Sequence, residues 1–528
     1  MRIRSATASR AAPALVVAMG TLAVRVAVYA SGDGFDAEHL GPLSMWHLLD
    51  PDVLRANPFA ALWDVHTTPP LFNFLVGAVL AWSPLPDALS FQVLFTVGGV
   101  FGAVALYRVL CIVGCRAWVA VVAVLVVFSD PNMLGFEAHL SHEAVVTPML
   151  LGVMWAVAAH ADRPSAGRFG AVLAAGTVLV LTRAMFHPVW LAALVLVVAL
   201  VRPPPLDRRR LALVAALPVV VVGGVMVKNE VRFGAFNMSS WAGMNLSRAA
   251  VYTLGTDRRE RLVEDGVLSP VSSHAPFSPY ADYAPDVPPC AAGFGTPALD
   301  APLKSPGVGG ITDVNYNYAC FVPVYEQAQR DAVAAIRHEP SNYASTVEAN
   351  TKLFLSDAPP GYSLAGLHGR VFDRLLAFHG KIDLSMYTVA QYPHLLYMVV
   401  FVQWTFVLGM AVVVAAGVRA AVRALRRRAG PGDVVVLAVA LTVPYVSAAG
   451  VLLDSFENGR FRAPLDPLVL GILFGGGLEL AARLVGRWAA SRRARRPAGS
   501  GDPGARTSAS GAASAAGLAG SGVASPVV

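Results

Sequence analysis

The chain has 528 residues, of which 55% are hydrophobic and only 14% charged, with a net charge of +7; its mean hydropathy is +0.56. Soluble domains carry about 25% charged residues, so this composition excludes one. The positive balance would suggest nucleic acid in a soluble chain, but here the basic residues sit in short turns between apolar runs of membrane length, which excludes that partner and marks a polytopic helical membrane protein.

The N-terminus, "MRIRSATASRAAPALVVAMGTLAVRVAVYA", has a basic start followed by an apolar stretch. Arg25 interrupts that stretch late and no small-residue cleavage site follows, so residues 11–30 read as an uncleaved first span with the N-terminus inside. The next apolar run, "PPLFNFLVGAVLAW" within loop 31–88, is short. Its ~12–13 helical residues cover about 20 Å against a hydrocarbon core of ~30 Å. Parity agrees. If 70–82 crossed, Arg108 and Arg116 would lie outside and every later basic turn would invert. If it is half-inserted, the turns at 108–116, 163–168, 202–210 and 419–428 and the tail 487–496 all lie in the cytoplasm.

The spans are then 11–30, 89–107, 117–133, 143–160, 169–183, 186–201, 211–228, 394–418, 433–453 and 464–486. This divides the chain into a membrane core over 1–228, an extracytoplasmic segment over 229–393, C-terminal spans over 394–486, and a basic then low-complexity cytoplasmic tail over 487–528. Loops as long as 229–393 are functional or small domains. Within it, "YEQAQRDAVAAIRHEPSNYASTVEANTKLFL" predicts two amphipathic helices broken at Pro340. Cys290 and Cys320 fall in the same segment, where a disulfide could form if it faces outside.

Ionisable residues gather at the outer ends of these spans. Asp36 and Glu38, in "SGDGFDAEHLGPL", follow the first span directly; carboxylates there are common in loops, and are also where a general base would meet an acceptor hydroxyl. His66, in "HTTPPL", precedes two prolines that rigidify the mouth of the short helix. Glu143, in "LSHE", opens the fourth span at its positive end. With His139 and His142 it offers ligand types for zinc, but the HExxH order is missing. Arg183, Lys228, Arg460 and Arg462 are cations on the side where the inside rule disfavours them. Each alone would snorkel. Together, beside two carboxylates, they suit an anionic lipid head, because Arg holds phosphate oxygens bidentately.

In this order the motifs resemble the GT-C class of integral-membrane glycosyltransferases, of the protein O-mannosyltransferase and aminoarabinose-transferase type often grouped as RgtA/B/C/D-like. The resemblance rests on an acidic residue after the first span, "HTTPPL", "FSDP", the acidic residue of "LSHE", Thr182-Arg183, the "KNEVRFGAFNMSSWAGMN" stretch and "ENGRFRAPLDP", and covers most of 11–486. It implies a GT-C-like bundle of about ten transmembrane helices and an inverting transferase at the outer membrane face. The implied donor is a polyprenyl-phosphate-linked sugar, and the acceptor a glycan, lipid or protein. On it, Asp36 is the base with Glu38 as substitute, and Glu143 is the second acidic group. Arg183, Lys228, Arg460 and Arg462 hold the donor phosphate, and His66 orients the sugar or the loop. Some relatives bind a divalent metal and others do not, so no cofactor is assigned. Rival expectations are a non-catalytic scaffold of the same fold and a secondary transporter, which would carry inverted repeats and midplane charges.

Overall fold

The computed structural model describes residues 3–35, 46–290, 293–305, 313–355, 367, 369–379, 396–455 and 458–494. Asp36, Glu38 and Glu457 lie outside them. The chain divides into two compact units, Met1–Glu479 and Leu480–Val528. The described part of the second is the final stretch of the last helix.

The elements run α1 (Ile3–Ala30), α2 (Pro51–Ala56), α3 (Ala60–Asp64), α4 (Pro70–Trp82), α5 (Asp87–Val113), α6 (Ala117–Phe128), α7 (Pro131–Glu137), α8 (His142–Asp162), α9 (Ala166–Thr182), α10 (Pro188–Val201) and α11 (Arg208–Phe233). The polar segment follows with α12 (Ala242–Ala250), α13 (Thr256–Glu264), α14 (Tyr280–Tyr283), α15 (Pro297–Asp300), α16 (Phe321–His338), α17 (Pro340–Leu355) and α18 (Arg370–His379). Last come α19 (Leu396–Leu425), α20 (Pro431–Leu452), α21 (Asn458–Arg462) and α22 (Asp466–Ala494). Among the described residues the only β pairing is a single bridge between Leu303 and Val314. The molecule is an all-helical, multi-pass membrane protein.

Among the described residues seven helices are long and apolar enough to cross a bilayer, and an eighth arises if the bent pair α6 and α7 is one span. The predicted spans coincide with helices over their described residues, with 117–133 divided between α6 and α7. But α9 and α10, at 17 and 14 residues, are shorter than a bilayer requires, as is α4 at 13, so the expected count of about ten crossings is not reached by length alone. The 59° bend between α6 and α7 has a local cause. Asp130 caps α7 by accepting from the Asn132 amide at 2.8 Å, and Pro131 opens it. A proline there cannot continue the preceding helix. The two helices predicted on either side of Pro340 form as α16 and α17.

The main apolar core joins α5, α6, α8, α9, α10 and α20 around Tyr107, Phe128, Phe169 and Trp190, all essentially inaccessible. Two buried polar pairs brace the bundle. Trp190 Nε1 donates to Thr442 Oγ1 at 3.1 Å. Arg25 of α1 is fully buried and donates to both carboxylate oxygens of Glu137 on α7, at 2.7 and 2.5 Å. Gly99 of α5 makes room for it, since a Cβ there would fall 2.4 Å from the guanidinium.

The polar segment has its own core, in which Trp241, Phe277, Tyr316, Phe321 and Tyr325 pack ring against ring. Cys290 and Cys320 form a disulfide with Cα atoms 5.4 Å apart. Asp331 of α16 gathers Ser269, Ser272 and Gln327 by side-chain hydrogen bonds of 2.6–2.7 Å.

Candidate active site

Glu143 is the second residue of α8, a helix capped by Ser141, and is 3% exposed. Two guanidiniums meet it. Arg183, at the C-terminal cap of α9, lies 3.4 Å from Oε1. Arg460, on α21, places Nε 3.4 Å from Oε1 and Nη2 3.5 Å from Oε2. The ends of three elements thus converge on one carboxylate, 40 and 317 residues from its partners along the chain. The Arg183 guanidinium also stands 5.5 Å over the ring of Phe461.

Beside this cluster is a cavity whose polar lining includes Asp130, Asn132, Glu137, Glu143, Thr147 and Asp466, with Phe128, Phe136 and Leu470 among its apolar walls. Asp33 closes the first span. Both its oxygens accept from the Gly369 amide, at 2.8 and 2.9 Å, and a Cβ on residue 369 would collide with the carboxylate. The loop predicted to carry the base, Asp36 or Glu38, therefore leaves the membrane core from a point pinned to the start of α18.

His66 sits elsewhere in the network than a free wall position. It is 1% exposed; Nδ1 pairs with Ser240 Oγ at 2.8 Å and Nε2 with the Asn317 carbonyl at 3.0 Å. Burial pushes its imidazole down to about 3, against a smaller opposing effect of the Asn317 bond. The "HTTPPL" mouth is thus stitched to the polar segment, and Lys228 joins the stitch by donating to the Val65 carbonyl at 2.6 Å. Arg232, which the sequence analysis did not place in the site, pairs with Asp64 at 2.6 Å. Arg462 faces Asp466 at 3.0 Å, donates to the Phe354 carbonyl, and covers the Phe406 ring at 5.0 Å. The structure accordingly brings Glu143, Arg183 and Arg460 together, and gives His66, Lys228 and Arg462 backbone or carboxylate partners of their own.

Three residues near the cluster escaped the sequence reading. His47 lies on the loop before α2, with its ring 5.5 Å from that of His142 and 4.6 Å from that of Trp241. Burial, then the charges of Arg183, Arg460, Lys304 and Arg248, hold it well below the usual histidine range. Arg248 of α12 lies 3.6 Å from Asp454. Lys304 is 7% exposed, and burial pulls its ammonium down to about 8. The signal for Lys304 was its rarity: the chain has only four lysines. Among the described residues no three His, Cys, Asp or Glu side chains converge to hold a metal, and His139 directs Nδ1 to the Gly135 carbonyl at 2.9 Å.

No protein-family model matches the chain, and no curated protein does either. Among solved structures it is similar to the archaeal oligosaccharyltransferase AglB from Archaeoglobus fulgidus, in complex with an inhibitory peptide and a dolichol-phosphate. That match has 15% identity and a TM-score of 0.39, over 94% of this chain and 52% of the other. The chain therefore spans about half the length of that protein. It is also similar to ArnT from Cupriavidus metallidurans. The apo structure matches with 14% identity and a TM-score of 0.27, over 90% of this chain and 78% of that one. The structure bound to undecaprenyl phosphate matches with 15% identity and a TM-score of 0.29, over 89% and 78%.

Proposed function

We propose that the protein is an inverting glycosyltransferase that moves a sugar from a polyprenyl-phosphate donor to an acceptor hydroxyl at the outer membrane face. One observation carries the reading: Glu143 held between Arg183 and Arg460 at the rim of a cavity framed by membrane helices. A guanidinium pair in a poorly hydrated site suits a lipid phosphate, whose charge must be balanced at the moment the sugar leaves it. The disulfide supports an outer location for the polar segment, since such bonds persist in oxidising compartments.

In the proposed reaction Asp36, with Glu38 as its substitute, takes the proton of the acceptor hydroxyl. The acceptor oxygen attacks the anomeric carbon from the face opposite the phosphate. The carbon–oxygen bond to phosphate breaks, its electron pair stays on the phosphate, and the configuration inverts. Arg183 and Arg460 hold the phosphate before and after the step, and Glu143 keeps the two guanidiniums in register and orients the acceptor. On the contacts they make, His66, Lys228 and Arg462 are assigned to holding the walls of the site. Most of the rate gain comes from alignment and charge stabilisation.

The test is transfer of labelled sugar from polyprenyl-phosphate donors in membranes. Asp36→Asn is expected to insert normally and to lose roughly 10²–10⁴-fold in rate, the usual contribution of a general base. A scaffold or a transporter would be indifferent to that substitution. If Glu38→Gln is far more damaging, the base is Glu38.

A further inference from the structure

Two histidines near the guanidinium pair have buried ring nitrogens that none of the described residues meets. Among the described residues, neither Nδ1 of His47 nor Nε2 of His142 has a hydrogen-bond partner, and both atoms are inaccessible. His142 is only 5% exposed. It directly precedes Glu143 and stacks on Phe72, ring centroids 3.8 Å apart. His47 presents its ring edge-on to it at 5.5 Å. By contrast His66, which is as deeply buried, has both nitrogens satisfied. Leaving a buried polar atom unmet is costly, so a pair of them in ring contact, one directly preceding Glu143, points to a ligand that meets them.

The chemistry of that ligand follows from the donors on offer. Phosphate oxygens only accept, and Arg183 and Arg460 already provide N–H groups for them. A neutral imidazole offers one donor and one acceptor, which matches hydroxyl groups, since these both give and take hydrogen bonds. A sugar joined to the phosphate lies one bond from it, within reach of His142, which directly precedes the carboxylate that both arginines meet, and of His47 edge-on to it.

We propose that His47 and His142 form the subsite for the hydroxyl groups of the donor's sugar, next to the arginine pair that holds its phosphate. This rests on the glycosyltransferase reading. The subsite discriminates a glycosylated carrier from the spent one, so product can leave after transfer because half of its grip has gone with the sugar.

The experiment uses the full chain in lipid nanodiscs and two kinds of probe: undecaprenyl phosphate without sugar, and the same lipid phosphate carrying a hexose or a pentose. Wild type is expected to bind one of the glycosylated probes more tightly than the bare one. His47→Phe and His142→Phe, which keep the ring packing but not the nitrogens, should each weaken that glycosylated probe by about tenfold, the worth of one good hydrogen bond. They should leave the bare carrier unchanged. His47→Asn and His142→Gln, which restore a polar atom near each nitrogen, should recover much of the loss, which a packing defect would not. Arg460→Leu should weaken all probes. Equal wild-type affinity for bare and glycosylated carriers, or equal weakening of both by the Phe variants, would overturn the subsite while leaving the enzyme reading standing. An effect confined to acceptor KM would overturn it too, by moving the histidines to the acceptor. If wild type binds no probe at all, the glycosyltransferase reading itself falls.

Discussion

At Glu143 two arginines compete for one carboxylate at 3.4–3.5 Å, longer than a tight charge-assisted bond. A phosphate would enter this network as a further acceptor for the same two guanidiniums. Glu143→Gln keeps the shape and removes the charge that holds the arginines in register. Transfer is expected to fall by on the order of 10- to 100-fold, the equivalent of one hydrogen bond to a charged group, with expression unchanged. His66 makes the opposite prediction. Its loss should reduce folded protein, measured by size-exclusion yield and thermal midpoint, while activity per folded molecule stays near wild type. Its pH behaviour has a defined sign. The imidazole falls from 6.5 to about 3 on folding, so below 6.5 the unfolded chain binds a proton that the folded chain does not. Its stabilising contribution is complete above 6.5 and shrinks as pH falls toward about 3. The thermal midpoint should drop over that window, and His66→Gln should flatten the drop.

Among the elements, α4 decides the topology. Thirteen residues rise about 20 Å, too little for a ~30 Å core. The turn after it should therefore stay on the outer side. A cysteine at Leu85, which is 42% exposed, in a background lacking Cys111 and Cys115, should react with an impermeant thiol reagent on intact cells. Labelling only in inverted vesicles would reverse the order of every later span. The helices themselves were legible because apolar runs and their proline and glycine ends are local signals. Glu143, Arg183 and Arg460 were legible as ionisable residues at the ends of apolar runs, though not as a contact. His47, Arg248 and Lys304 were not. They lie on loops or on a short helix, where no periodicity marks a buried position, and only tertiary packing brings Arg248 and Lys304, like Arg183 and Arg460, within electrostatic reach of His47. The anchoring of His66 was not legible because the partners of its two nitrogens, Ser240 and Asn317, are 174 and 251 residues away.

Over the whole molecule, distant stretches are joined by a few polar stitches: Gly369 to Asp33, Ser240 and Asn317 to His66, Lys228 to Val65, and Arg25 to Glu137. The last of these reaches back in time as well as space. Arg25 is synthesised 112 residues before the carboxylate that neutralises it. Until then the first helix carries an uncompensated charge, which insertion scales place at up to about 2.5–3.5 kcal/mol against membrane residence. Nascent chains arrested before residue 137 should accordingly hold that helix loosely, so that alkaline carbonate extracts it, whereas slightly longer chains resist. Arg25→Leu should abolish the length dependence. Helix α1 is thus secured only after α7 has been made, so the order of translation becomes part of how the bundle is assembled.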